Sequence, residues 1–137
     1  MKRKISVFLV FTILLMNMFS VCSFASDITP RNNNTAATGT DFIINSDGLA
    51  YIACNYEGYS NITTGADIEI AIQKRNFLFF WNDVVRQTIT VTGERFDEVY
   101  TCQLTSTGTY KCTVTYTVYG TAGEADVIPF ERTVKYS

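Results

Sequence analysis

Between Thr109 and Tyr119 the chain alternates without a break. Tyr110, Cys112, Val114, Tyr116 and Val118 share one parity, and Thr109, Lys111, Thr113, Thr115 and Thr117 share the other. Successive side chains on a strand point to opposite faces, so the run has one apolar and one polar face, and its period does not suit a helix. A second layer must cover the apolar face. The same period recurs along the chain. Leu49 to Tyr56 puts Ala50, Ile52, Cys54 and Tyr56 on one face, and Ala66 to Lys74 sets Ile68, Ile70 and Ile72 against Asp67, Glu69, Ala71 and Gln73. Phe42-Ile43-Ile44 reads as a short edge strand; Phe77–Asn82, Arg86–Thr92, Phe96–Leu104 and Val127–Tyr136 complete the series. Gly, Asn, Asp and Ser clusters separate these runs, and no stretch sustains a helical period. The pattern predicts an all-β fold, an antiparallel β-sandwich of seven or eight strands over residues 41–137.

The N-terminus obeys different rules. Lys2-Arg3-Lys4 is followed by the apolar run Ile5–Met16, too short for a span of roughly 20 residues, and then by Ser23-Phe24-Ala25 with small residues at the positions a signal peptidase reads. Residues 1–25 are expected to be a cleaved secretory signal peptide and not an anchor helix, leaving no transmembrane segment in the mature protein. Phe19-Ser20-Val21 before Cys22 does not fit lipoprotein processing, and the C-terminal Thr133-Val134-Lys135-Tyr136-Ser137 carries no apolar tail or sorting signal. The expected location is therefore outside the cell, free or loosely associated with the surface. Residues 26–40, including Arg31-Asn32-Asn33-Asn34-Thr35, lack periodicity and aromatics and read as a flexible polar stalk. Asn33-Asn34-Thr35 and Asn61-Ile62-Thr63 match the glycosylation acceptor pattern, which carries little weight behind a bacterial-looking signal peptide.

Removing the signal peptide changes the charge and the composition. Lys2, Arg3 and Lys4 are three of the 11 basic residues, and all 13 acidic residues lie beyond residue 25, so the net charge moves from −2 to −5. The remaining eight basic residues are scattered along the sequence, which excludes a nucleic-acid-binding stripe. Of the 112 residues left, 51 are Ile, Val, Thr, Tyr, Phe or Trp, the types that pack well on a pleated surface.

Leu104-Thr105-Ser106-Thr107-Gly108-Thr109-Tyr110-Lys111-Cys112 resembles the corner that leads into the F strand of immunoglobulin-like and fibronectin-type-III-like domains. Tyr110 stands two residues before Cys112, and Leu104 six before Tyr110. The resemblance implies a tyrosine corner of Leu104 and Tyr110, in which Tyr110 bonds back to upstream backbone. Trp81 lies 27 residues after Cys54, farther than the immunoglobulin core Trp. A second likeness covers Ile68 to Tyr136. Ile68-Glu69-Ile70-Ala71-Ile72-Gln73-Lys74, Trp81, Gly108-Thr109-Tyr110 and Tyr119-Gly120 with Glu124 are similar to small, functionally uncharacterised secreted proteins of Clostridia-like Gram-positive bacteria. These share a signal peptide and one β-sandwich, and they supply no functional residue.

Cys54, Cys102 and Cys112 remain after the signal peptide, an odd number, all on apolar parities. The immunoglobulin resemblance implies Cys54–Cys112, with Cys102 left over; Cys54–Cys102 and Cys102–Cys112 stay open. A Cys54–Cys112 bridge would close a 59-residue loop and add about 4 kcal/mol by chain entropy.

The chain has no His, which removes His-based nucleophilic triads and His metal sites. Asp67 with Glu69, and Asp97 with Glu98, are carboxylate pairs, but a two-acid mechanism needs both in one cleft. No calcium-loop pattern occurs. The expectation is a non-enzymatic protein without cofactor, metal or catalytic residues. Phe77-Leu78-Phe79-Phe80-Trp81 is what a simple sandwich does not require. As a strand it would carry large apolar groups on both faces and need covering by a loop or the stalk. Left uncovered, Phe77, Phe79, Phe80 and Trp81 would form an interaction patch. The function expected is binding at the cell envelope or in the medium, to a surface glycan or protein; the alternative is a small secreted effector, antibacterial or inhibitory.

Overall fold

A computed structural model describes residues 32–137; the segment read as a signal peptide and residues 26–31 of the polar leader lie outside the described residues. Seven strands run β1 Thr35–Ile44, β2 Leu49–Gly58, β3 Thr63–Arg75, β4 Trp81–Thr92, β5 Arg95–Gln103, β6 Gly108–Gly120 and β7 Asp126–Tyr136. They form two antiparallel sheets, β1-β2-β5 and β4-β3-β6-β7. The chain thus changes sheet between β2 and β3, between β4 and β5, and between β5 and β6. No helix occurs among the described residues, so none there is long and apolar enough to cross a membrane.

The alternating parities meet in the middle. Ala50, Ile52, Cys54 and Tyr56 of β2 face Ala66, Ile68, Ile70 and Ile72 of β3 and Tyr110, Cys112, Val114, Tyr116 and Val118 of β6, all buried. The register makes this possible: Ile68 pairs with Tyr116, Ile70 with Val114 and Ile72 with Cys112, so apolar residues of neighbouring strands share a face. The central strands β2, β3 and β6 supply most of the core. The edge strands β4, β5 and β7 alternate between half-buried and exposed, and Pro129 sits on edge strand β7, where its missing N–H disturbs the ladder least.

Two expectations are corrected. The stalk does not run to residue 40, because β1 begins at Thr35 and pairs with β2 from Thr35–Gly58 to Ile44–Ala50. What fixes it is distant in sequence. The buried Asp126 carboxylate accepts the Asn33 amide (3.0 Å), the Asn34 amide (2.7 Å) and the Thr35 hydroxyl (2.9 Å). Asn34 is buried as well; its Nδ2 donates to the Glu124 carbonyl at 2.8 Å. The second correction is that Phe77–Phe80 is not strand. Strand β4 begins at Trp81, and the four residues before it form the β3–β4 turn.

Candidate functional site

The β3–β4 turn is built by Asn76. Its carbonyl accepts the Phe79 amide at 3.1 Å, and its own amide donates to the Phe80 carbonyl at 2.9 Å. Its side-chain Oδ1 accepts from Leu78 N at 2.9 Å and Phe80 N at 3.0 Å. An Asn side chain bonded to backbone two and four residues ahead offers the chain an alternative to the ladder. That is why an apolar stretch turns here and does not extend. Phe79 takes φ +66°, a left-handed conformation in which a bulky residue is a genuine outlier.

The turn carries its side chains into solvent. Phe77 is 86% exposed, Leu78 57%, Phe79 72% and Phe80 66%. Among the described residues no loop covers them. Trp81 differs. It is half-buried at the start of β4, opposite Arg75, with the Lys111 ammonium 4.8 Å from its ring centre. The Arg75 guanidinium lies 5.0 Å from the Phe79 ring centre. Trp81 is thus the collar of the tip and no core residue.

The tip stands beside the β5–β6 crossing. Leu104 and Tyr110 are buried there, and the Tyr110 hydroxyl donates to the Ser106 carbonyl at 2.6 Å. Lys74 ties the hairpin to this crossing: its ammonium donates to the Ser106 hydroxyl at 2.6 Å and lies over the Tyr110 ring. The β1–β2 hairpin reaches the same crossing through Leu104 N, which donates to the Gly48 carbonyl at 2.9 Å.

Cys54, Cys102 and Cys112 are all free thiols in this structure, so none of the three pairings is formed. Cys54 and Cys112 are buried in the core; Cys102, on edge strand β5, is half-buried. Burial pushes the Cys112 thiol up to about 12, with the neighbouring Cys54 adding to the rise. Burial raises Cys54 also, against the opposing contact of the Tyr116 hydroxyl. Both stay protonated near neutral pH, and a thiol is a poor nucleophile.

Neither carboxylate pair converges on a cleft; an open hollow at the start of β5 is lined by Glu57 and Asp97, from different strands, with Glu57 bridged to Arg95. Asp67 accepts from the Thr90 hydroxyl at 2.7 Å and the Tyr119 hydroxyl at 2.8 Å, and these bonds hold its pKa below the usual carboxylate range. Glu69 is bridged to Arg86. Asp97 and Glu98 are successive residues of edge strand β5 and point to opposite faces. Among the described residues no group of three Cys, Asp or Glu stands where it could hold a metal ion. Comparison with protein-family models, curated proteins and solved structures finds no match to the chain.

Proposed function

We propose that this protein is a secreted, non-enzymatic binding module of fibronectin-type-III-like or immunoglobulin-like fold, and that the Phe77–Phe80 tip is its contact surface. Three features support the fold reading. Three strands, β1-β2-β5, face four, β4-β3-β6-β7. The two sheets are joined by a crossing between β5 and β6. At that crossing Tyr110 bonds back to the Ser106 carbonyl, the bond such domains make there. The resemblance of residues 68–136 to small secreted proteins, and the signal-peptide pattern of residues 1–25, support export.

The observation that carries the functional reading is the exposure of four consecutive large apolar residues on one tight turn. Single exposed apolar residues are ordinary, whereas a contiguous apolar projection in a dispersed protein marks a contact site. The core does not use these side chains, and the turn holds Phe79 in an unfavourable backbone region to display them. Retention of the purified protein on cell-wall polysaccharide, membranes and surface proteins tests the reading. Saturable retention on one fraction, lost in the Phe77→Ser/Phe80→Ser variant, is expected. Retention that ignores the substitutions would overturn it.

A further inference from the structure

The tip's chemistry singles out one kind of partner. We infer that Phe77–Phe80 inserts into the interfacial layer of an anionic lipid bilayer; this rests on the reading of the tip as the contact surface.

Most of the amides of the tip are paired within the turn. In hydrocarbon an unpaired amide has no water to bond, so backbone enters only where its polar groups are satisfied internally. The amides of Asn76, Leu78, Phe79 and Phe80 are all bonded within the turn, two of them to the Asn76 side chain. A peptide-binding or glycan-binding loop would gain from leaving such donors available. Here those four are withdrawn; the Phe77 amide and the Phe77, Leu78 and Phe79 carbonyls have no partner among the described residues and stay at the hydrated headgroup level while the apolar side chains project.

The charges behind the tip fit anionic headgroups. Arg86, Arg95, Lys111 and Arg132 each bridge to a carboxylate. Lys74, Arg75 and Lys135 make no ion pair among the described residues. All three lie at the tip end: Lys74 and Arg75 close β3, and Lys135 pairs with Thr109 at the start of β6. A shallow open hollow on the flank of the hairpin is lined by Lys74, Arg75, Asn76, Phe77 and Asn82. Asp83 also lines it but is already bonded to Gln73 and Arg86. Several acids sit at the opposite end: Glu57, Glu94, Asp97 and Glu98 cluster where β2 ends and β5 begins, and Glu124 and Asp126 precede or open β7. At the tip end Asp47 of the β1–β2 turn is the side-chain carboxylate without an ion pair among the described residues, against the three cations Lys74, Arg75 and Lys135; screening over roughly 8 Å at physiological salt keeps the distant acids from cancelling the remaining positive charge. Lys and Arg near an anionic surface attract it, and aromatic side chains favour the headgroup level.

Trp81, the chain's single Trp, adjoins the tip and reports on it. Flotation with vesicles of phosphatidylcholine and phosphatidylglycerol, and with phosphatidylcholine alone, tests the inference alongside Trp81 emission. The wild type is expected to float with the anionic vesicles and its emission to shift to the blue. Phe77→Ser/Phe80→Ser should weaken partitioning at least roughly tenfold, from the apolar area withdrawn. Arg75→Gln/Lys135→Gln should weaken it several-fold on anionic vesicles and leave phosphatidylcholine binding unchanged. Absence of flotation, or flotation indifferent to both variants, overturns the lipid assignment. If vesicles fail while retention on wall polymer or surface protein still needs Phe77 and Phe80, the lipid assignment falls and the contact-surface reading stands. If retention is also indifferent to the tip, both fall.

Discussion

The two hairpins that flank the β5–β6 crossing share a backbone and a leading Asn and differ in the side chains that follow it. In the β1–β2 turn Asn45 N donates to the Leu49 carbonyl and Gly48 N to the Asn45 carbonyl, both at 3.0 Å. In the β3–β4 turn Asn76 and Phe79 make the same two bonds with Phe80 and Asn76. Both put the fourth residue at positive φ, +82° for Gly48 and +66° for Phe79. Both are three-residue hairpin loops with a left-handed bulge residue, a geometry that asks for Gly. Asn45-Ser46-Asp47-Gly48 meets the request, and Asn76-Phe77-Leu78-Phe79 does not. One turn is written for the fold alone. The other accepts a strained Phe and three exposed apolar neighbours, at about 1–3 kcal/mol for the left-handed residue. Where local chemistry opposes the local backbone and the core gains nothing, function is the reason to look for.

Substitutions at corresponding positions break or sharpen the contrast. The largest effect is expected from Gly48→Val. A Cβ there would stand 2.8 Å from the Tyr136 hydroxyl and 2.9 Å from the Leu104 carbonyl, on a backbone that disfavours side chains. A loss of about 2–3 kcal/mol in denaturant unfolding is expected, from strain and overpacking together. If the loss is negligible, the polar turn is not the conformationally demanding one. Tyr110→Phe comes next. It removes the bond to Ser106 from the crossing on which both hairpins rest, and about 1–1.5 kcal/mol should go with it. Amide exchange should then quicken at both turns, not at one.

Phe79→Gly has the opposite sign. It relieves the left-handed residue without emptying any core space, so stability should rise by about 1 kcal/mol. A decrease would mean that the contact of Arg75 with the Phe79 ring outweighs the strain. The smallest effect belongs to Phe77→Ser/Phe80→Ser, which should leave unfolding within about 0.5 kcal/mol of wild type, as exposed substitutions do. A larger loss would make the tip part of the core after all.

The same contrast shows what the sequence could reveal. The polar turn was legible as a Gly, Asn, Asp and Ser cluster, and the core parities of β2, β3 and β6 followed from period two. Leu104 and Tyr110 followed from the resemblance of residues 104–112 to the corner before an F strand. The start of β1 was not legible. Ala36-Ala37-Thr38-Gly39-Thr40 has no alternation, and its neighbour Thr35 is held by Asp126, 91 residues away. The apolar turn was misplaced because five large apolar residues in a row look like a buried strand. One Asn side chain, bonded to two amides ahead of it, outweighed the propensity of the residues it turns. The cysteines show a third limit: parity placed Cys54 and Cys112 in the core, but parity does not determine whether two buried sulfurs join.

Carbene footprinting tests the central claim most directly, because it reads each side chain's contact with solvent in the free protein and again on anionic vesicles. Phe42, fully buried, is the internal reference. Phe77, Leu78, Phe79 and Phe80 should label far more heavily than Phe42 in the free protein and fall toward its level on the vesicles. Tip residues as protected as Phe42 in the free protein, or equally labelled in both states, would contradict the account.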